Sequence, residues 1–239
     1  MDRAQLIREH PTLFHMAADG TWPSIQARGL LSTRALVDLY DPPPALRAEI
    51  LHRVRRTKIV LDDPALGPSV IRDQLPLKFL DQCLTPGTTP QEFLDLLNGR
   101  VFFWLTRERL CSLVNARQYR DHPQVVLCLD TAQLLGRHGD AAQLAPYNTG
   151  SMLKPPPYSP MRGRDVFVDV DDYPYSRWRK ERGANRDAVV ELTVNHAVPD
   201  AAELAIRVER WEGGVCTEVL HERLSPCEKR WTVSARSGD

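Results

Sequence analysis

What this 239-residue chain lacks narrows its class before any motif is read. No stretch approaches the ~20 consecutive apolar residues that span a bilayer, so no membrane-spanning helix is expected. The N-terminal MDRAQLIREHPTLFH holds no apolar run of the roughly 7–15 residues found in a secretory leader, and no small-residue cleavage site follows. Cysteine is sparse and unpatterned. Cys83, Cys111, Cys128, Cys216 and Cys227 are odd in number and form no CxxC pair. That excludes a zinc ribbon or a fully paired disulfide framework and suits reduced thiols in a cytoplasmic protein. Cys111 and Cys128 lie in apolar runs and read as core. Neither sign of charge is in excess: 31 Lys plus Arg balance 31 Asp plus Glu, so bulk electrostatics does not hold the chain to nucleic acid. No GxGxxG follows a strand, and GxxxxGK[ST], HExxH and GxSxG are missing, which removes the Rossmann, phosphate-loop, zincin and hydrolase-elbow sites. His122, His138, His196 and His221 have no Cys, His or Asp partners at ligand spacing, so no metal site is expected.

What is present is an ordinary globular composition. Apolar residues make up 42%, enough for a core, and 19 Pro against 13 Gly predict many rigid loops. At roughly 100–200 residues per domain, the length fits one large domain or two small ones. Residues 12–17 read as a short strand. Thr21 can cap a helix, Pro23 suits its first turn, and Gly29 can end it in a left-handed conformation. Residues 34–57 read as a helical pair broken at Asp41-Pro-Pro-Pro44, and Thr89-Pro90-Gln-Glu opens a helix over 90–98. Then the period changes. Strands are expected at 101–106, 125–129, 165–170 and 188–194, a helix at 107–118, and a closing hairpin of 205–211 with 216–220 across Gly213-Gly214. Two long polar segments, 146–164 and 171–187, interrupt the strands, and loops of that length are often functional. The expectation is a single α+β domain over 1–224, with a helical portion at about 34–98 and a tail over 225–239.

Residues on three of the expected strands could carry chemistry. His15 alternates with Phe14 and Met16, so it points away from its apolar neighbours. A capped short helix ending in Gly29-Leu-Leu follows it, and then the hydroxyl pair Ser32 and Thr33. Phe103 and Trp104 lie in an apolar strand, where an aromatic is by default a core residue. Glu191 stands in an otherwise apolar strand, and a bare buried carboxylate is costly unless it is paired or reactive. Alternation puts it on the face of Val189 and Thr193.

The run LFHMAADGTWPSIQARGLLST resembles the first motif of the ADP-ribosyltransferase superfamily. It is most similar to the DarT-type toxins that modify DNA, with tRNA 2′-phosphotransferases as more distant relatives. In that register His15, Ser24, Ile25, Gly29 and Leu30 match a strand His followed by x-x-S-I-x-x-x-G-L. The resemblance implies a split antiparallel sheet and NAD as co-substrate, with His15 on a ribose, Phe103 or Trp104 against the nicotinamide, and Glu191 as catalytic carboxylate. It implies transfer of ADP-ribose to an acceptor, a nucleic acid among the options, and a neutralising partner protein. The 171–187 segment would meet that acceptor through Tyr173, Tyr175, Trp178, Arg177, Arg179 and Lys180, since aromatics stack on bases and cations neutralise phosphate. Arg72 could hold the pyrophosphate as a fork, and the backbone at Asn148-Thr-Gly150 could approach the cofactor, although an ion pair and a plain turn predict the same residues. Two alternatives keep the fold: an RNA 2′-phosphotransferase, and a non-catalytic NAD- or nucleotide-binding module.

Overall fold

The structure, a computed structural model, describes residues 1–183 and 186–223. The chain begins with α1 (Arg3–Glu9), β1 (Thr12–Ala18), α2 (Trp22–Arg28), β2 (Leu30–Leu31), α3 (Thr33–Tyr40) and α4 (Pro44–His52). It continues through β3 (Ile59–Leu61), β4 (Ser69–Ile71), α5 (Pro90–Asn98), β5 (Arg100–Trp104), α6 (Arg107–Val114), β6 (Gln124–Asp130) and α7 (Thr131–His138). The last part holds β7 (Ala142–Ala145), β8 (Val168–Asp169), α8 (Tyr175–Arg182), β9 (Glu191–Asn195), β10 (Ala197–Val198), α9 (Ala201–Leu204), β11 (Ala205–Glu212) and β12 (Val215–Glu222).

Eight strands form one antiparallel sheet in the order β12-β11-β6-β1-β5-β9-β7-β8. Its middle is barely joined. β1 pairs with β6 along its whole length, Thr12↔Asp130 through Ala18↔Gln124, but with β5 only at Phe14↔Trp104. The sheet is thus two four-stranded halves hinged at one register.

Alternation along the strands gives each face its own apolar set. Leu13, Leu127 and Leu129 pack with Leu6 of α1, Trp22 and Ile25 of α2, Leu134 of α7 and Leu204 of α9. On the other face, Phe14, Met16, Val126 and Trp211 pack under Leu110 and Val114 of α6. The second half of the sheet is covered there by α5, whose Phe93, Leu94 and Leu97 meet Ala145, Met152 and Phe167. α5 owes its start to a full capping box, Thr89 and Glu92 each bonding the other's backbone. α6 also meets Trp104 of β5, and the cavities described below open beside it where β1 and β5 part.

Several sequence expectations change. The segment before β1 forms α1, capped by the Asp2 side chain on the Gln5 N–H, a signal hidden by the charged residues around Leu6. The portion at 34–98 is not all helical, since β3 and β4 form a hairpin inside it that closes a small core with Val37, Ile50 and Leu51. The 165–170 strand shortens to β8, and the 171–187 segment folds into α8 rather than an open loop. Besides the helix expected over 107–118, α7, α8 and α9 come between the later strands. The tail expected over 225–239 lies outside the described residues. Among the described residues, no helix is long and apolar enough to cross a membrane.

Candidate functional site at the split in the sheet

His15 is placed by β1 at the point where that strand leaves β5. Its Nδ1 lies 2.8 Å from the Phe102 carbonyl oxygen. A carbonyl only accepts, so Nδ1 carries the proton and Nε2 presents a lone pair. Burial holds the imidazole down to about 4, against the opposing pull of the Phe102 carbonyl, so the ring is neutral at ordinary pH. Its ring is tilted on that of Phe103 at 5.8 Å between centroids.

Two connected cavities open along the split. The larger, about 540 Å³, is lined by His15, Trp104 and Glu191 together, with Asn148, Arg109 and Tyr119 on its walls. The smaller, about 260 Å³, lies against α2 and takes in Ser24, Gly29, Ser32 and Val101. Both share His15, Thr33, Arg55, Arg72, Arg100 and Phe102. The larger volume falls within the roughly 300–1,000 Å³ of small-molecule and cofactor clefts.

Glu191 opens β9 and is paired with Trp104 on β5, so the two side chains emerge on the same face. The carboxylate is only 3% exposed. Its Oε2 accepts from the Thr149 N–H at 3.1 Å and from the Thr149 hydroxyl at 2.7 Å. Burial pushes this carboxyl up to about 7, opposed by the two Thr149 bonds and the charges of Arg162 and Arg109. A carboxyl that titrates near neutrality in a cleft has the profile of a functional acid or base.

The other candidates divide. Alternation turns Phe103 into the core at 1% exposure, and it lines neither cavity; Phe102 and Trp104 are the β5 aromatics that do. Ser32 is buried and caps α3 by accepting from the Ala35 N–H, while Thr33 follows it on both cavity walls. Arg72 lies over the Tyr119 ring at 4.9 Å and donates to Gln124 at 2.8 Å, with no carboxylate partner among the described residues. Asn148 lines the larger cavity, but the group on that turn that reaches the carboxylate is Thr149.

The aromatics offered for base stacking are used inside the fold. Tyr173 is buried, with its hydroxyl on the Ala188 carbonyl, and Trp178 packs on the core and meets Tyr147 edge-on. Tyr175 donates to Glu9 and accepts from Arg179, and Arg177 pairs with Glu181. That leaves exposed cations on α8 without a stacking platform. Sequence reading offered the backbone of the Asn148-Thr-Gly150 turn but not the Thr149 side chain, and it did not find Arg162, Arg109 or Phe102. Only Phe102 had a signal, the alternation with Trp104.

The site defines a mixed α/β protein with a buried carboxylate and a neutral imidazole on opposite banks of a cleft between two half-sheets. The chain belongs to a family of unknown function, DUF7002, whose model matches residues 11–205. That span takes in His15, Trp104, Thr149 and Glu191. No curated protein matches the chain.

Proposed function

We propose that the protein is an NAD-dependent mono-ADP-ribosyltransferase built on an ADP-ribosyltransferase-like split sheet. One observation carries the reading: His15, Trp104 and Glu191, drawn from three separate strands, line one cavity at the gap between the half-sheets. The residues fit a dinucleotide. The His15 Nε2 lone pair suits a ribose hydroxyl, the Trp104 face suits a nicotinamide ring, and Arg72 and Arg100, without carboxylate partners among the described residues, suit a pyrophosphate.

On this reading the C–N bond between nicotinamide and ribose breaks first, and positive charge develops on the ribose. Glu191, hydrogen-bonded to the ribose 2′-hydroxyl, stabilises that charge, an effect strengthened by the low dielectric of a site that excludes water. With its proton equilibrium near neutrality, the same carboxylate can take the acceptor's proton. The exposed cations of α8 would suit an acceptor that bears phosphate, and on that ground a nucleic acid stays among the acceptors. A cytoplasmic setting belongs to the same reading, supported by Cys83, Cys111, Cys128 and Cys216, which form no disulfide among the described residues.

The test is nicotinamide release from NAD by the purified chain and by Glu191→Gln, with mass spectrometry of nucleic-acid and protein acceptors. Release by the wild type and its loss in a folded variant support the reading; equal release from both overturns it. A second reading, transfer of an RNA 2′-phosphate to NAD, is favoured by one observation: Arg55, Arg72 and Arg100 line both cavities. A ribose cyclic phosphate product from a 2′-phosphorylated RNA, insensitive to Glu191→Gln, distinguishes it.

A further inference from the structure

The turn that reaches Glu191 has no regular structure to hold it, since no helix or strand lies between β7 and β8. One buried guanidinium organises it. Arg162, 3% exposed, donates from Nη2 to the carbonyls of Asn148 at 3.0 Å and Ser151 at 2.7 Å, and from Nη1 to that of Pro160 at 2.8 Å. Its plane lies on the Tyr147 ring at 4.9 Å. The carbonyls it grips therefore flank Thr149 on both sides. Thr149 in turn spends its N–H and its hydroxyl on one oxygen, Oε2 of Glu191. Both protein hydrogen bonds to this carboxylate among the described residues end on Oε2, which leaves Oε1 for the cavity that Glu191 lines.

We propose that Arg162 is the positioning residue of the site: it fixes the 148–151 turn so that Thr149 pins one oxygen of Glu191 and aims the other into the cleft. The assignment rests on Glu191 being the reactive carboxylate. The cation that grips the turn also faces Glu191, so the same residue sets its geometry and favours its ionised form. Arg is suited to this because a planar fork reaches several carbonyls at once; the point charge of Lys does not. The other charged group bearing on Glu191 is Arg109 of α6, itself held by Asp187. Across the cavity stand Arg72, Asp73, Arg100, His15 and Tyr119.

The experiment measures nicotinamide release against pH, from about pH 5 to pH 9, for the full chain and for Thr149→Val, Thr149→Ser and Arg162→Lys. Losing a hydrogen bond to a carboxylate makes its ionised form less favourable, so Thr149→Val moves the acidic limb of kcat upward by about one pH unit, and Thr149→Ser brings it back. Arg162→Lys moves the limb the same way and lowers kcat about tenfold or more, with KM for NAD changed by less than about twofold. Variants that melt earlier yet keep the wild-type limb and kcat mark Arg162 as a loop staple and overturn the proposal. Should Arg162→Lys fail to fold, the Thr149 pair decides. Titration of the Glu191 carboxyl by carbon NMR, in wild type and Thr149→Val without NAD, separates the two ideas. A shifted titration with release insensitive to Glu191→Gln keeps the clamp and removes the enzyme; an unshifted one removes the clamp.

Discussion

The imidazole of His15 on β1 bonds the carbonyl of Phe102 on β5 across the gap where the two strands stop pairing. A side chain thus does the work of a missing ladder bond, and in doing so it fixes which ring nitrogen faces the cleft. His15→Asn retains a donor near Phe102 but loses the Nε2 acceptor. NAD affinity, read by calorimetry, should fall about tenfold or more, while the melting temperature drops by only a few degrees. Unchanged affinity with a collapsed melting temperature would assign His15 to the sheet alone.

Adjacent aromatics on β5 should separate stability from function. Phe103 is fully packed, so Phe103→Ala should cost about 3–5 kcal/mol in chemical denaturation. Trp104→Leu keeps an apolar body at the cleft wall; it should cost less than about 2 kcal/mol and reduce nicotinamide release about tenfold or more. The reverse pattern would place the functional aromatic in the core.

The two titrating groups of the site act on stability with opposite signs. Glu191 is raised from 4.5 to about 7, so the native state binds more protons than the unfolded chain in that window and loses stability as pH rises through it. His15 is lowered from 6.5 to about 4, so the native state binds fewer protons there and loses stability as pH falls through that range. Between about 4.5 and 6.5 the two slopes oppose each other. Glu191→Gln should therefore gain on the wild type as pH rises from 5 to 8, by at most about 3 kcal/mol, in urea titrations at each pH. A wild-type minus variant difference that does not change with pH would remove the raised carboxyl.

Gly29 should tolerate no side chain. It sits at φ 75°, where a Cβ is strained, and that Cβ would lie 2.3 Å from the Val198 carbonyl oxygen. The close approach lets β2 pair with β10, directly after the strand that carries Glu191. Gly29→Ala should destabilise by at least about 2 kcal/mol and lower activity with it, as read by denaturation and turnover on the same sample. A variant as stable as the wild type would mean that β2 and β10 can separate.

The sequence was most informative where a local rule acts alone. The Thr89 box set α5, alternation put His15 on the face away from Phe14 and Met16, and Gly213-Gly214 joined β11 to β12. It was least informative where short, charged or irregular stretches take their shape from distant partners. α1 and α8 carry no apolar stripe, because α1 buries only Leu6 and α8 buries no residue fully. Phe103 and Trp104 looked equivalent in the chain until the Trp104↔Glu191 register chose between them.

Composition, strand alternation and the Thr89 cap of α5 were settled by the chain itself, because each depends on residues a few positions apart, whereas Thr21 starts α2 without a side-chain cap bond. The width of the opening between β1 and β5, the grip of Arg162 on the turn bearing Thr149 and the proton affinity of Glu191 arise only in three dimensions. They depend on groups 11 to 87 residues apart, and on how much water is excluded once they meet.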